Sequence, residues 1–271
     1  MQQAEIIETL GVAANFNAEK EARRRIDFLK SYLKASGMKA YVLGISGGVD
    51  STTAGLIAQK AVQEMREEGH AAQFVAVRLP YGKQADEADA QAALETIKPD
   101  AVHTVDIKPA ADAMWEQVRA SGFVPASPAQ EDFVLGNVKA RQRMIAQYAL
   151  AGGLQGLVIG TDHAAEALMG FFTKFGDGAA DVLPLSGLNK RRVRAVAGVL
   201  GAPKHLVEKV PTADLEDSAP LRPDEEAFGT TYEQIDDFLE GKQIDTEAEQ
   251  IIMRFYRNSS HKRALPVAPS P

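Results

Sequence analysis

Eight residues constrain the fold of this chain more than any others: Gly44-Ile45-Ser46-Gly47-Gly48-Val49-Asp50-Ser51. They join an apolar run, Ala40 to Ile45, to a helix-like run that begins near Thr52, and so read as the turn between a buried strand and a helix N-terminus. Glycines and small hydroxyls let such a turn expose backbone N–H groups, and the positive end of the helix dipole adds to them. The result is a seat for phosphate. The bland alternative is a tight turn with Asp50 as a capping residue and no ligand.

The octet differs from the commoner phosphate loops. A Walker A loop carries lysine just before its Ser/Thr, whereas Asp50 holds that position. Nor is Gly44-x-x-Gly47-Gly48 the Gly-x-Gly-x-x-Gly of a dinucleotide fold. An acid aimed at phosphates requires a metal between them, so Asp50 implies Mg²⁺ beside a polyphosphate. On these residues the octet resembles the pyrophosphate loop, Ser-Gly-Gly-x-Asp-Ser, of ATP pyrophosphatases. That resemblance implies a loop holding the β,γ-pyrophosphate of ATP while a nucleophile attacks the α-phosphorus, giving AMP and pyrophosphate.

The flanking pattern is α/β. Asn17 to Ser36 has an apolar stripe at Ala22, Ile26, Leu29 and Leu33 and stops at Gly37, which predicts an amphipathic helix. Strands are expected at Ala40–Ile45, Phe74–Leu79, Ala101–Ile107, Leu157–Gly160 and Val182–Leu185, alternating with helices at 52–67, 85–97, 129–151 and 189–200. Such alternation predicts an open parallel five-stranded sheet with helices on both faces and right-handed crossovers. Helical additions lie at both ends, the later ones at Tyr232–Leu239 and Thr246–Tyr256. We read residues 1–271 as one domain without internal repeats, ending in a loose tail at 264–271, since the 271 residues, 45% hydrophobic, suffice for a full core. Pro211 to Pro223 is a candidate lid.

Composition removes several function classes. A formal charge of −7 opposes a nucleic-acid surface, and Arg23-Arg24-Arg25 reads as a solvated helix face. No apolar run nears the roughly 20 residues of a membrane span, and residues 1–11 lack the order of a signal peptide. A cytoplasmic protein is expected. With no cysteine, the chain has no thiol nucleophile with which to release ammonia from glutamine.

Chemistry-bearing residues gather at the ends of the expected strands, where open parallel sheets bind ligands. Arg78 and Gln84 are either a phosphate partner and a reader of adenine or ribose, or a surface arginine and a capping glutamine. After the fourth strand comes Thr161-Asp162-His163-Ala164-Ala165-Glu166; Asp162 is expected to cap a helix, with His163 structural and Glu166 a second carboxylate for the Mg²⁺ of Asp50. The aromatic, glycine-rich stretch from Gly170 to Asp181 suits stacking on a planar ring or, alternatively, a hydrophobic lid. Lys190-Arg191-Arg192 opposes the dipole of its own helix and so is expected to answer an anionic ligand. His261-Lys262-Arg263 either complements a helix C-terminus or meets an anion.

Together, the phosphate loop, Gly160-Thr161-Asp162-His163-Ala164-Ala165-Glu166, Phe172-Thr173-Lys174-Phe175-Gly176-Asp177-Gly178 and His261-Lys262-Arg263 resemble the ammonia-dependent NAD synthetase family, over most of the chain. The resemblance implies an adenine nucleotide alpha hydrolase-like fold and a homodimeric ligase of NAD biosynthesis that amidates deamido-NAD through an acyl adenylate. It implies ATP contacts at Gly44, Ile45, Ser46, Gly47, Gly48, Val49, Asp50, Ser51, Arg78, Gln84, Thr161, Lys190 and Thr212, and Mg²⁺ on Asp50 and Glu166. Deamido-NAD would meet Phe133, Arg141, Phe171, Lys174, Asp181, His261 and Lys262. Asp50 and Lys190 would assist the departing pyrophosphate, and Asp177 is the candidate for taking a proton from ammonium. A tRNA-modifying enzyme shares the loop but fits the acidic balance poorly; a glutamine-dependent amidotransferase lacks its thiol and second domain here, and an ATP-binding sensor would leave ATP intact.

Overall fold

Tyr41, Val42 and Leu43 are at most 2% exposed, as are Phe74 to Val77. Runs apolar on both faces belong at the centre of a parallel sheet covered on both sides. The computed structural model describes residues 2–82, 87–213, 222–264 and 266–269. In chain order the elements are α1 (Gln3–Thr9), α2 (Ala18–Ser36), β1 (Ala40–Gly44), α3 (Val49–Glu67), β2 (Gln73–Arg78), α4 (Glu87–Ile97), β3 (Ala101–Thr104), α5 (Lys108–Ala120), α6 (Pro128–Gly153), β4 (Gly156–Val158), α7 (Ala164–Met169), α8 (Lys190–Val199), α9 (Lys204–Val207), β5 (Thr212–Ala213), β6 (Arg222–Pro223), α10 (Asp224–Phe228), α11 (Tyr232–Leu239), α12 (Thr246–Asn258) and α13 (Ser260–Arg263).

The main sheet is parallel in the order β3-β2-β1-β4, with Val42 opposite both Val75 and Val158. Strand order therefore runs outward from β1 to β3 and then reverses to β4. The reversal leaves a crevice between the C-terminal ends of β1 and β4. One face of the sheet packs on α2, α3 and α8 through Leu29, Leu33, Ile57, Val62 and Val193. The other meets α6 around Val42, Val75, Val77 and Ala151. A separate cluster of Ile6, Leu168, Phe228, Phe238 and Ile252 ties α1 to α7, α10, α11 and α12. Among the described residues no helix is long and apolar enough to cross a membrane.

Local signals mostly hold. Asn17 accepts the Lys20 N–H as N-cap of α2, and Gly37 ends that helix in the left-handed region. The expected fifth strand does not form: Val182 makes a single parallel bridge to Ile159. Pro184 has no N–H to give a ladder, and the carbonyls of Pro184 and Ser186 are taken by the Arg25 guanidinium. Arg25 is thereby 5% exposed, not part of a solvated face, and burial pulls its guanidinium down to about 10. The third strand likewise ends at Thr104 rather than Ile107.

The long helix α6 is only sparsely covered. Of its 26 residues Gly136, Lys139, Ala140 and Ala151 are buried, while Phe133 is 59% and Ile145 51% exposed.

Candidate active site

The phosphate loop sits where β1 hands over to α3. Gly48 is the N-cap of α3, and its carbonyl accepts from the Thr52 hydroxyl at 2.8 Å and the Ser51 hydroxyl at 3.2 Å. Gly47 has φ 84°, and a Cβ there would lie 2.5 Å from the Ala90 nitrogen. Only glycine fits both constraints. Over this loop opens a cavity of about 480 Å³, within the usual range for a ligand site. Helix α6 forms one wall: Gln147 Oε1 accepts from the Gly44 N–H at 2.8 Å, and Arg143 Nε donates to the Leu79 carbonyl at 3.1 Å.

A charged cluster lies at the loop's inner end. Lys190 Nζ is 2.8 Å from Asp50 Oδ2 and 3.2 Å from His163 Nε2. His163 Nε2 is also 3.4 Å from Asp50 Oδ1 and 3.5 Å from Glu166 Oε1. His163, itself extended, rather than Asp162 is the N-cap of α7, its Nδ1 accepting the Glu166 N–H. Burial, with the nearby charges of Asp177 and Asp50, pushes Asp162 up to about 8. Burial also raises Glu166, with Asp50 adding to the effect. Sequence reasoning missed Asp224: it is 6% exposed, lines the cavity and accepts the Tyr232 hydroxyl at 2.9 Å. Its position behind Pro223 reads as an ordinary acid at a helix N-terminus.

The donors around this cluster suit a divalent cation. Ligand atoms of Asp50, His163 and Glu166 lie within 4.8 Å of one another, and Asp50 Oδ1 is buried without a hydrogen-bond partner. Asp50, Glu166 and Asp224 set three carboxylates against the single Lys190 ammonium that feels them all. Carboxylates outnumber the ammonium here, and their oxygens are hard donors of the kind Mg²⁺ takes.

The aromatic loop is held by the residues that follow α12. Lys262 Nζ donates to the carbonyls of Gly170 and Phe172, each at 2.9 Å. Arg263 donates to the Ala167 carbonyl at 2.8 Å, and Lys174 Nζ to that of His261. Gly170, at φ 63°, has no room for a Cβ against the Ser259 side chain. In this loop Asp177 faces the cavity, its Oδ1 accepting the Thr173 N–H at 3.0 Å. Burial raises its carboxyl, opposed by that backbone bond and by the charges of Lys262 and Arg143.

The expected residues separate into two groups. Gly44, Ile45, Ser46, Gly48, Val49, Asp50, Ser51, Arg78, Thr161, Glu166, Lys190 and Thr212 line the cavity, together with Phe133, Phe171, Asp177 and Lys262. Gly47, packed against Asp89 and Ala90, does not, nor do Arg141, Lys174, Asp181 and His261: Arg141 donates to the Lys174 carbonyl at 3.1 Å, and Asp181 accepts the Val158 N–H at 2.7 Å. Gln84 lies outside the described residues. Of the basic triplet only Lys190 reaches the cavity. Arg191 pairs with Asp237 and Glu240, and Arg192 bonds the Ala13 carbonyl, so acids on α11 and at its C-cap, rather than a ligand, answer Arg191.

A phosphate-seating turn at the reversal point of a parallel sheet, facing buried acids and a lysine, is the apparatus of an α/β enzyme that works on a nucleotide polyphosphate. The family is shown by comparison: the NAD synthase family model matches residues 21–266, and the chain belongs to that family. It is 62% identical to an NH(3)-dependent NAD(+) synthetase of Burkholderia cenocepacia over 265 residues, 98% of this chain and 94% of the relative. Among solved structures it resembles NAD+ synthetase from Burkholderia pseudomallei with a TM-score of 0.84 and 58% identity, over 97% of this chain and 96% of that one. It also resembles NMN synthetase from Francisella tularensis, with a TM-score of 0.81 and 34% identity over 94% and 99%.

Proposed function

We propose that this chain is a cytoplasmic ligase that makes NAD from deamido-NAD, ATP and free ammonia, through an acyl adenylate, releasing AMP and pyrophosphate. The observation that carries this reading is the meeting of Asp50, Glu166 and Lys190 beside the phosphate loop in one cavity, in a chain of this family.

A nicotinate carboxylate is a poor electrophile, and adenylation supplies it with a good leaving group. The loop from Gly44 to Ser51, with Arg78, Thr161 and Thr212, orients the triphosphate, and the Lys190 ammonium offsets charge that grows on the departing pyrophosphate. Asp50 and Glu166 would hold Mg²⁺, which supplies further neutralisation of the polyphosphate when bound. Phe133 and Phe171 offer ring faces to the second substrate, and Lys262 a cation. Asp177, raised by burial, takes the proton that ammonium must lose before its nitrogen attacks the acyl carbon. Substrates filling the cavity would also keep water from the adenylate.

A cavity of about 480 Å³ suits one nucleotide, whereas Arg141, Lys174, Asp181 and His261 lie outside it. The dinucleotide therefore extends past its mouth, toward the bare face of α6, and a homodimer would cover that face and share the substrate site.

Incubating the protein with ATP, Mg²⁺, deamido-NAD and ¹⁵N-ammonium tests the reading: labelled NAD and AMP are expected in equal amounts. Nicotinate mononucleotide in place of deamido-NAD should react poorly. Faster amidation of the mononucleotide would reassign the substrate, and ATP left intact with every acceptor would refute catalysis. Labelled glutamine should give no labelled NAD, in keeping with a sequence that has no cysteine.

A further inference from the structure

Two cavity-lining cations near the phosphate loop, Arg78 and Lys209, share an arrangement. Each is paired with an acid from the first turn of α4: Arg78 with Glu87 at 2.7 Å, Lys209 with Asp89 at 2.6 Å. This turn touches the loop, because a Cβ on Gly47 would come within 2.7 Å of the Asp89 carbonyl carbon. The Lys209 ammonium, one hydrogen bond from Asp89, thus stands beside the phosphate seat. Arg78 is fixed, at 3% exposure with a second bond to the Ile45 carbonyl. Lys209 and Asp89 are 21% and 37% exposed. A lysine is a point charge on a flexible four-carbon stem, able to exchange a carboxylate for an anion of higher charge close by.

We propose that Lys209 is a phosphate-binding residue of the active site, parked on Asp89 until a nucleoside polyphosphate enters, and that Asp89 competes with the nucleotide for it. The proposal rests on the nucleotide-binding reading above. Lys209 stands three positions before Thr212, so the same segment delivers both groups to the cavity. In the nucleotide-bound protein the ammonium leaves the carboxylate for a phosphate oxygen, and Asp89 turns to solvent.

The test is calorimetric titration with α,β-methylene-ATP, which carries the polyphosphate but is not cleaved between the α and β positions. Lys209→Ala should weaken binding about tenfold or more, the loss of one charge-assisted bond, and Lys209→Arg should restore most of it. Asp89→Asn should tighten binding by about threefold or more, and in the Lys209→Ala background it should change nothing. A mere structural staple predicts the opposite sign, both partners weakening binding alike when removed, and that result would overturn the proposal, as would unchanged affinity in Lys209→Ala. Asp89→Asn decides the matter even if Lys209→Ala folds poorly. A parental protein that fails to bind the analogue would instead sink the nucleotide reading, and this inference with it.

Discussion

Lys190 Nζ and Asp50 Oδ2 meet at 2.8 Å across 140 positions of sequence, joining the first turns of α8 and α3. Burial acts against both charges. For Asp50 the attraction of Lys190 and His163 outweighs it, so the carboxyl is held well below the usual range; for Lys190 the pull of Asp50 and Glu166 raises the ammonium. Each keeps the other ionised.

Removing one partner therefore differs from removing the other. Lys190→Met leaves buried acids without their cation and should destabilise the fold by about 3 kcal/mol, with part of the lost Tm recovered by millimolar Mg²⁺. Asp50→Asn leaves Lys190 facing Glu166 and Asp224 and so should cost less Tm than Lys190→Met, yet lose on the order of 100-fold or more in NAD formation, together with any Mg²⁺-dependent rise in Tm. Differential scanning calorimetry with and without Mg²⁺ checks both; a parental Mg²⁺ response in Asp50→Asn would move the metal elsewhere.

Asp177→Asn separates adenylation from amidation. AMP release coupled to slow hydrolysis should continue, while NAD formation at neutral pH falls by roughly 100-fold. Because the variant depends on preformed ammonia, its residual rate should climb about tenfold per pH unit until ammonium is titrated. A pH profile parallel to that of the parent would remove Asp177 from proton transfer.

The bare face of α6 should be an interface. Ile145→Glu, at a position 51% exposed in the single chain, should convert a sedimenting dimer to monomer and weaken deamido-NAD binding at least about tenfold, with ATP binding little changed. A monomer that retains parental affinity for deamido-NAD would show that one chain suffices.

Acid should loosen the α2–α3 seam before the sheet. Arg23 and Lys30 hold Glu64 at about 2, and Lys30 and Lys34 hold Glu68 at about 2, below the ordinary 4.5. Carboxylates lowered on folding contribute above their unfolded value, and that contribution disappears as pH falls from 4.5 toward 2. Tm should drop across this window, less steeply at high salt, and the Glu64→Gln/Glu68→Gln variant should differ from the parent by a few degrees at pH 7 and by almost nothing near pH 2. Parallel Tm curves for the two proteins would disprove it.

How far the sequence discloses this protein depends on the range of each signal. The β1–α3 turn is legible because glycine, hydroxyl and helix-start preferences act between neighbours, and Asn17 and Gly37 are legible for the same reason. Val182–Leu185 reads as a strand by composition, yet its fate is decided by Arg25, far away in sequence, which occupies the carbonyls a ladder would need. Asp224 and Lys209 are ordinary surface residue types in local context; only the meeting of β4, α4, α8 and α10 around one crevice gives them roles. The same holds for Arg191, whose dipole argument is sound but whose partners on α11 and at its C-cap no local pattern reveals.

The bonds from Lys262 to Gly170 and Phe172 also set a timetable. Lys262 is translated 92 positions after Gly170, a delay of roughly 5 to 18 seconds at ribosomal speeds. Through that interval a growing chain already contains the four strands of the main sheet and the phosphate loop, but the loop carrying Asp177 lacks its clasp. Both the nucleotide site, which awaits Lys190 and Thr212, and the clasp on the Asp177 loop are thus completed late in synthesis, so an incomplete chain on the ribosome is ill equipped to spend ATP on an adenylate that it has no means to finish.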